Sequence, residues 1–129
     1  MSTLKVDTLQ DSSGSNASTT AQIEQGRAKV WANLDGIGTI ALRDSFNISS
    51  VTDTATGKYT FNFATNMANT NYSFQATAGE TFNLDAYVEH TGVPHVLTGS
   101  IMITCRYSSL DNAHERDSEH VCLSIFGDQ

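Results

Sequence analysis

The sequence predicts an all-β protein, an antiparallel β-sandwich or jelly-roll-like domain that carries an N-terminal extended arm. From residue 29 onward, apolar residues recur at every second position, which is the period of a half-buried strand. Small polar turn sequences separate about eight such runs, as in sandwich folds. Charged residues make up only 16% of the chain, whereas surface helices usually carry many Glu, Lys and Arg.

The chain is expected to divide into a docking arm, residues 1–28, and a β-sandwich domain, residues 29–129. The first 22 residues are mostly small and polar and hold too few apolar side chains for a core. This segment is therefore expected to be either disordered or ordered by a partner. The candidate docking residues are Leu4, Val6 and Leu9.

One short helix is predicted at the end of the arm, in the sequence STTAQIEQGRA. Ser18 or Thr19 is a suitable N-cap, because its hydroxyl can accept a hydrogen bond from a free N–H of the first turn. Gly26 is a suitable stop, because glycine readily adopts the left-handed conformation that ends helices. The spacing allows one or two helical turns.

Two hairpins are predicted next. KVWANL alternates Val30, Ala32 and Leu34 with more polar residues, DGIG supplies a turn, and TIALRDSF returns. NISSVTD and KYTFNF flank TATG in the same way, and aromatic residues fall on one face of the second strand. Four further strands are predicted in NYSFQATAG, FNLDAYVEH, GSIMITCRY and VCLSIFGD. The inward residues expected in KYTFNF and in these four strands are Tyr59, Phe61, Phe63, Tyr72, Phe74, Ala76, Leu84, Ala86, Val88, Ile101, Ile103, Cys105, Val121, Leu123 and Ile125.

The two cysteines, Cys105 and Cys122, fall in separate predicted strands. They are expected to be buried thiols that act as small apolar residues. A cross-strand disulfide is the alternative. Synthesis in a cytoplasm disfavours it, and the N-terminal MSTLKVDTLQ lacks the apolar stretch of a signal peptide.

Charge and hydropathy exclude two classes of partner. The formal net charge of −7 repels a phosphate backbone, so no nucleic-acid binding is expected. No apolar run approaches the roughly 20 residues that a membrane span needs, so no membrane insertion is expected. No cofactor is expected either.

The densest group of ionisable residues is the predicted loop SSLDNAHERDSEH. A solvated or partner-contacting loop is the favoured interpretation, since its mixed charges can form directional hydrogen bonds to a sugar or a protein. A metal site using His114, Asp117 and His120 is the weaker alternative, because their spacing matches no defined metal motif. The candidate contact residues are Asp111, His114, Glu115, Arg116, Asp117 and His120.

No enzymatic activity is expected. Nothing in the sequence singles out a nucleophile with a histidine beside it and a third group to orient that histidine. Paired carboxylates such as Asp85 and Glu89 are exposed alternates of one predicted strand, whereas glycoside cleavage needs two carboxylates across a cleft.

Several stretches of the chain are similar to one family. STLKVDTLQDSSG, GRAKVWANLDGIGTIALRDSFNISSVTDTATGKYTFNF, NYSF and IFGDQ resemble small tail-fibre or virion structural proteins of tailed bacteriophages of marine and cyanobacterial hosts. The resemblance is most specific in residues 26–63 and weakest in residues 80–119. It implies a virion component assembled in the bacterial cytoplasm, a homotrimer, an arm that attaches to other virion proteins, and an outward β-domain.

Two functional hypotheses remain open at this point. The protein either contacts the host surface through loops at Glu80, His90 to His95 and residues 111–120, or is a purely structural virion piece such as a head decoration, baseplate or adaptor protein. Exposed aromatic residues are expected to form subunit contacts, with a sugar-stacking platform as the alternative. The candidate aromatic residues are Trp31, Tyr87 and Tyr107.

Overall fold

A computed structural model describes residues 1–79, 84–88, 95–107 and 114–129. This part of the chain forms antiparallel sheets and one helix, α1 (Thr20–Gly26). The strands are β1 (Thr8–Gln10), β2 (Ala17–Thr19), β3 (Val30–Asp35), β4 (Ala41–Phe46), β5 (Ile48–Ala55), β6 (Lys58–Phe63), β7 (Ser73–Gly79), β8 (Leu84–Tyr87), β9 (Ser100–Tyr107), β10 (His114–Glu115) and β11 (His120–Phe126).

The described strands after the helix form two antiparallel sheets that share one core. The first sheet has the order β4-β3-β11-β7. In the second sheet β5 pairs with β6, β6 with β9 and β9 with β8. The short β10 also pairs with β9, at Arg106 and Tyr107, beyond the residues that pair with β6. The predicted antiparallel β-sandwich is therefore confirmed.

The chain passes from the first sheet to the second through a single residue, Asn47. Its φ of 60° is unusual for a residue other than glycine, although asparagine tolerates it better than most. The side chain holds the corner: its Oδ1 accepts the Thr65 N–H at 2.7 Å, and its Nδ2 donates to the Thr65 carbonyl at 3.0 Å. Edge strands β4 and β5 are therefore joined without a loop.

The core contains the residues that the alternating pattern predicts. Val30, Ala32 and Leu34 of β3 are buried against the aromatic row of β6 and against β9 and β11. The predicted inward residues are all buried or packed against this core, apart from Leu84, whose side chain lies outside the described part. The rings of Phe63 and Tyr72 pack edge to face with centroids 6.3 Å apart.

Both cysteines are free thiols, so the disulfide alternative is wrong. Cys105 lies in β9 and points into the core, where burial raises the pKa of its thiol to about 12. Cys122 lies in β11 of the other sheet, where it pairs with Asn33 and Thr77 and alternates with the buried Val121. It therefore faces away from the core, and the two sulfurs lie on opposite sides of the first sheet.

Residues 1–28, called the N-terminal module below, do not form one continuous extended arm. β1 and β2 pair as a hairpin, and the Thr20 N–H donates to the Asp7 carbonyl at 3.1 Å, where the hairpin meets the helix. Asp11 closes the loop between β1 and β2. Hydrogen bonds from the Ser13 hydroxyl, the Asn16 amide and the Ser15 N–H lower its carboxyl pKa to about 2. Local hydrogen bonds thus order a segment that has no core of its own.

The helix follows the sequence pattern that predicts it. Thr19 is the N-cap and forms a capping box with Gln22, and the helix ends at Gly26 as predicted. The left-handed conformation expected of Gly26 is wrong: its φ is not positive, and the chain leaves the helix through the extended Arg27. It is attached to the sandwich by polar contacts. The buried Lys29 ammonium donates to the backbone carbonyl of Glu24 at 2.8 Å and also pairs with the Glu24 carboxylate, whose pKa is lowered by Lys29 and then Arg27.

Candidate functional site

The sandwich has two ends that differ in what they carry. β3 begins directly after Lys29, which holds the module, and finishes at Asp35. β11 runs antiparallel to it, so its first residue, His120, lies at the far end. The six residues of β3 span about 20 Å at roughly 3.3 Å each. We call the end at Lys29 the module end, and the end that carries residues 114–120 the loop end.

Asp117 fixes the loop end from inside. Its Oδ1 accepts the backbone N–H of Gly57 at 2.7 Å and lies 3.1 Å from the hydroxyl of Tyr59. The same hydroxyl donates to the carbonyl of Gly36 at 2.9 Å. Burial, followed by the nearby Asp117 charge, raises the pKa of Tyr59, so its hydroxyl remains a proton donor. The Asp117 carboxylate thus contacts the second sheet directly, and the Tyr59 hydroxyl links it to Gly36, at the end of β3 in the first sheet.

The turn between β5 and β6 brings Gly57 against the backbone of the neighbouring strands. Its φ is +68°, in the left-handed region, and its carbonyl accepts the Cys105 N–H at 2.7 Å. A Cβ at this position would lie 2.6 Å from the Cys105 carbonyl oxygen and 2.7 Å from the Arg116 nitrogen. Only glycine fits here without a backbone shift.

Ser118 holds the same segment to the first sheet and is fully buried. Its hydroxyl accepts the Gly79 N–H at 3.2 Å and lies within donor distance of the carbonyls of Gly79, 3.0 Å, and His120, 2.9 Å. Its own carbonyl accepts the Gly36 N–H at 2.9 Å. Asp117 therefore contacts the second sheet, and Ser118 contacts the first.

The residues just before this anchor point face solvent more openly. The exposed His114 stacks at a tilt on Tyr107, with ring centroids 5.8 Å apart. Glu115 lies 3.8 Å from the Lys58 ammonium. Its own backbone N–H, helped by Lys58 and Arg106, lowers its pKa, so it stays a carboxylate at neutral pH. These groups present both charge and hydrogen-bonding capacity at the loop end.

A second cluster at the loop end centres on Arg43 of β4. The Arg43 guanidinium donates to Asp35 at 2.8 Å and lies 3.8 Å from the Glu119 carboxylate. It also lies 2.9 Å from Nδ1 of His120, which must accept because a guanidinium only donates. The sequence did not predict a role for Arg43 or Asp35. Asp35 is the first residue of the DGIG turn, which indicates that β3 and β4 are neighbours, but only the sheet order places His120 beside them.

The structure brings most of the predicted contact residues together and corrects the role of one. His114, Glu115, Arg116 and His120 lie at the loop end, while Asp111 lies outside the described residues. Asp117 was expected to contact a partner, but its Oδ1 is engaged by Gly57 and Tyr59. The reason is that the chain enters β11 here, and the buried N–H of the facing turn needs an acceptor.

The three candidate aromatic residues do not share one surface. Trp31 lies on the outer face of the first sheet, 37% exposed, opposite Phe46 of β4. Tyr87 pairs with Thr104 in the second sheet, and Tyr107 contacts His114 at the loop end. A single sugar-stacking platform built from all three is therefore wrong.

The remaining predicted contact positions are spread out. Glu80 and His90 lie outside the described residues. His95 lies beside β9, where its carbonyl accepts the Met102 N–H at 3.0 Å, and so does not join the loop end. The docking residues Leu4, Val6 and Leu9 are all exposed in the N-terminal module, at the opposite end of the sandwich.

Two surface depressions and the grouping of metal-binding side chains can be judged for the described residues. Two depressions on the outer faces of the sheets have volumes of about 110 and 260 Å³, below the roughly 300–1,000 Å³ of typical ligand pockets. Among the described residues, no three or more His, Cys, Asp or Glu side chains are grouped to hold a metal ion. Within the same part of the chain, no helix has the length and apolarity to cross a membrane.

Comparison with known proteins gives no relative from which a role could be transferred. No protein-family model matches the chain, and neither a curated protein nor a solved structure matches it.

Proposed function

We propose that the protein is a non-enzymatic virion component of a tailed bacteriophage, of the tail-fibre or spike type. Its loop end faces outward and contacts the host cell surface. One observation carries the proposal: a rigid sandwich separates an exposed apolar module from a charged, anchored loop end by about 20 Å, the length of β3. A displayed protein needs such a division between attachment and recognition.

The loop end suits recognition because its backbone is fixed while its outer side chains are not required by the core. Asp117 and Ser118 hold the segment, and the neighbouring His114, Glu119 and His120 are exposed. Charged and imidazole groups on a rigid scaffold can hydrogen-bond directionally to a cell-surface glycan or protein. Substitutions at the exposed positions would leave the anchoring contacts in place.

The module end suits attachment to the particle. The N-terminal module presents Leu4, Val6 and Leu9 to solvent, and apolar side chains of this kind gain most from burial against protein. In this proposal the module docks on other virion proteins, the chain assembles as a homotrimer, and the finished protein resides in the virion after assembly in the host cytoplasm.

A purely structural virion protein, such as a head decoration, baseplate or adaptor piece, is the second candidate. The exposed Trp31 and Phe46, which face each other across β3 and β4, favour it because they offer a further apolar contact on the side of the sandwich. In that role the loop end would contact only other virion proteins, and host adsorption would not depend on it.

Adsorption of phage particles that carry substituted chains separates the two candidates. Replacing His114, Glu119 and His120 together by Ser removes exposed hydrogen-bonding groups while sparing Asp117 and Ser118. We expect unchanged particle yield and at least tenfold weaker binding of particles to host cells, since loss of about 1.4 kcal/mol of contact energy already weakens binding tenfold.

The matched control replaces three exposed polar residues on edge strand β5, Ser50, Thr52 and Asp53, by Ala. This control is expected to adsorb like the wild type. Unchanged adsorption of the loop-end variant, with normal particle yield, would contradict host contact by this surface and favour the structural candidate.

A further inference from the structure

The N-terminal module is folded yet buries almost nothing. Residues 1–27 are all exposed, and helix α1 has no buried residue. A two-stranded hairpin is at best marginally stable in water, and a helix shorter than about 12 residues is marginal as well. The seven-residue helix and three-residue strands of this module therefore need burial against another surface to persist.

The module offers apolar side chains for such burial. Leu4 is 81% exposed, Leu9 58%, Ile23 45% and Val6 42%. Leu4 and Val6 precede β1, Leu9 lies in β1, and Ile23 lies in the helix. The polar strand β2 contributes no large apolar side chain. The module has 28 residues, comparable to the roughly 20–30 residues that each partner contributes to an interface of standard size.

The charge of the module favours association with itself. It contains two basic and three acidic residues, which gives a net charge of −1 and leaves −6 of the chain's −7 on residues 29–129. Copies of the sandwich repel each other, whereas copies of the module barely do. In a symmetric interface a charged residue can lie close to the same residue of the other copy, and the two repel each other. A surface with few unpaired charges is therefore suited to contact between copies of one chain.

Two of the three acidic groups are already paired within the chain. Asp11 accepts hydrogen bonds from Ser13, Ser15 and Asn16, and Glu24 pairs with Lys29 and Arg27. Little charge is left to select an oppositely charged foreign partner. The exposed surface that remains carries mainly Leu, Val, Ile, Ser, Thr and Gln side chains, together with Lys5 and Asp7, one charge of each sign.

We propose that the N-terminal modules of separate copies of this chain bind one another through Leu4, Val6, Leu9 and Ile23, and that this contact holds the assembled protein together at its module end. The inference rests on the self-assembly included in the proposed function, for which it names the surface; other virion proteins then dock on the assembled modules and not on these four side chains. It does not depend on contact with a host.

A matched pair of substitutions tests the proposal. Ile23 in the module and Ile37 in the turn between β3 and β4 are the same residue type and are both 45% exposed. In light scattering of the full chain, the wild type is expected to be oligomeric at micromolar concentration. Ile23→Asp should raise the dissociation constant at least tenfold, and Ile37→Asp should leave it unchanged. Both variants should keep the wild-type thermal midpoint of the β-domain.

Each outcome decides a different point. A monomeric wild type would overturn both the surface and the self-assembly. An oligomer that Ile23→Asp and Leu9→Asp leave intact, or that Ile37→Asp dissociates as strongly, would overturn the surface while self-assembly stands. The host-contact role is measured separately by adsorption, so its failure would not affect this result.

Discussion

Gly57→Ala is expected to lower the free energy of unfolding by about 3 kcal/mol. The left-handed φ of +68° disfavours any Cβ by roughly 1–2 kcal/mol. The added carbon would also lie 2.6 Å from the Cys105 carbonyl, so β9 must move and strain its packing. Denaturant unfolding followed by tryptophan fluorescence of Trp31 measures the change.

Gly38→Ala is the matched control for this prediction. Gly38 has nearly the same φ, +64°, but nothing lies within 4 Å of its Cβ position. We expect a loss of only about 1 kcal/mol, from backbone conformation alone. Equal losses for the two variants would mean that the close approach of Gly57 to β9 contributes nothing to stability.

Asp117→Ala is expected to destabilise the protein by about 3 kcal/mol, because it removes the acceptor of the Gly57 N–H and a partner of the Tyr59 hydroxyl. A hydrogen bond to a charged group contributes roughly 1.5–3 kcal/mol, and a buried N–H left without an acceptor adds a further cost. For a domain of this size the thermal midpoint should fall by about 10 °C or more.

Two control variants test whether the loss comes from the missing hydrogen-bond acceptor of Asp117. One removes only the negative charge, and the other changes a neighbouring residue. Asp117→Asn keeps an oxygen acceptor and should lose less than half as much stability as Asp117→Ala. His114→Ala, three residues earlier and exposed, should lose less than about 0.5 kcal/mol. A midpoint for Asp117→Ala within 2 °C of the wild type would contradict the anchoring role and return Asp117 to the contact surface.

Much of the fold follows from local pattern. The alternation of Val30, Ala32 and Leu34 and the aromatic row of β6 predict the buried faces, because side chains of a strand point alternately to its two sides. The turns at DGIG and TATG predict the hairpins, and Thr19 predicts the start of the helix. These signals need only neighbouring residues, so sequence alone reveals them.

The contacts that shape the loop end are of another kind. Asp117 is 60 residues from its donor Gly57, and Arg43 is 77 residues from His120. Neither pair has a local signature, since the sheet order that joins them depends on the whole chain. The described residues of the charged group do lie at one end of the sandwich, but the pattern could not tell which carboxylate serves the fold.

In the N-terminal module, the absence of a core was predictable from the sequence but the hairpin was not. Its polar, Ser-rich sequence predicts a segment without a core, and the structure agrees that it buries almost nothing. The hairpin was missed because it depends on Asp11 accepting hydrogen bonds from residues two to five positions later. Such a loop satisfies its own backbone groups and needs no apolar period.

The orientation of the protein on the particle is the most direct test of the proposed function. Antibody fragments selected against the folded chain can be sorted into two groups, one whose binding is abolished by His114→Ala and one whose binding is abolished by Ile23→Asp. On intact phage particles viewed by electron microscopy, the first group should label the outer extremity of a tail structure and block adsorption. The second should label only the dissociated chain, because Ile23 is covered in the assembled protein. Labelling by the Ile23 group but not by the His114 group, or labelling of the head alone, would contradict the account.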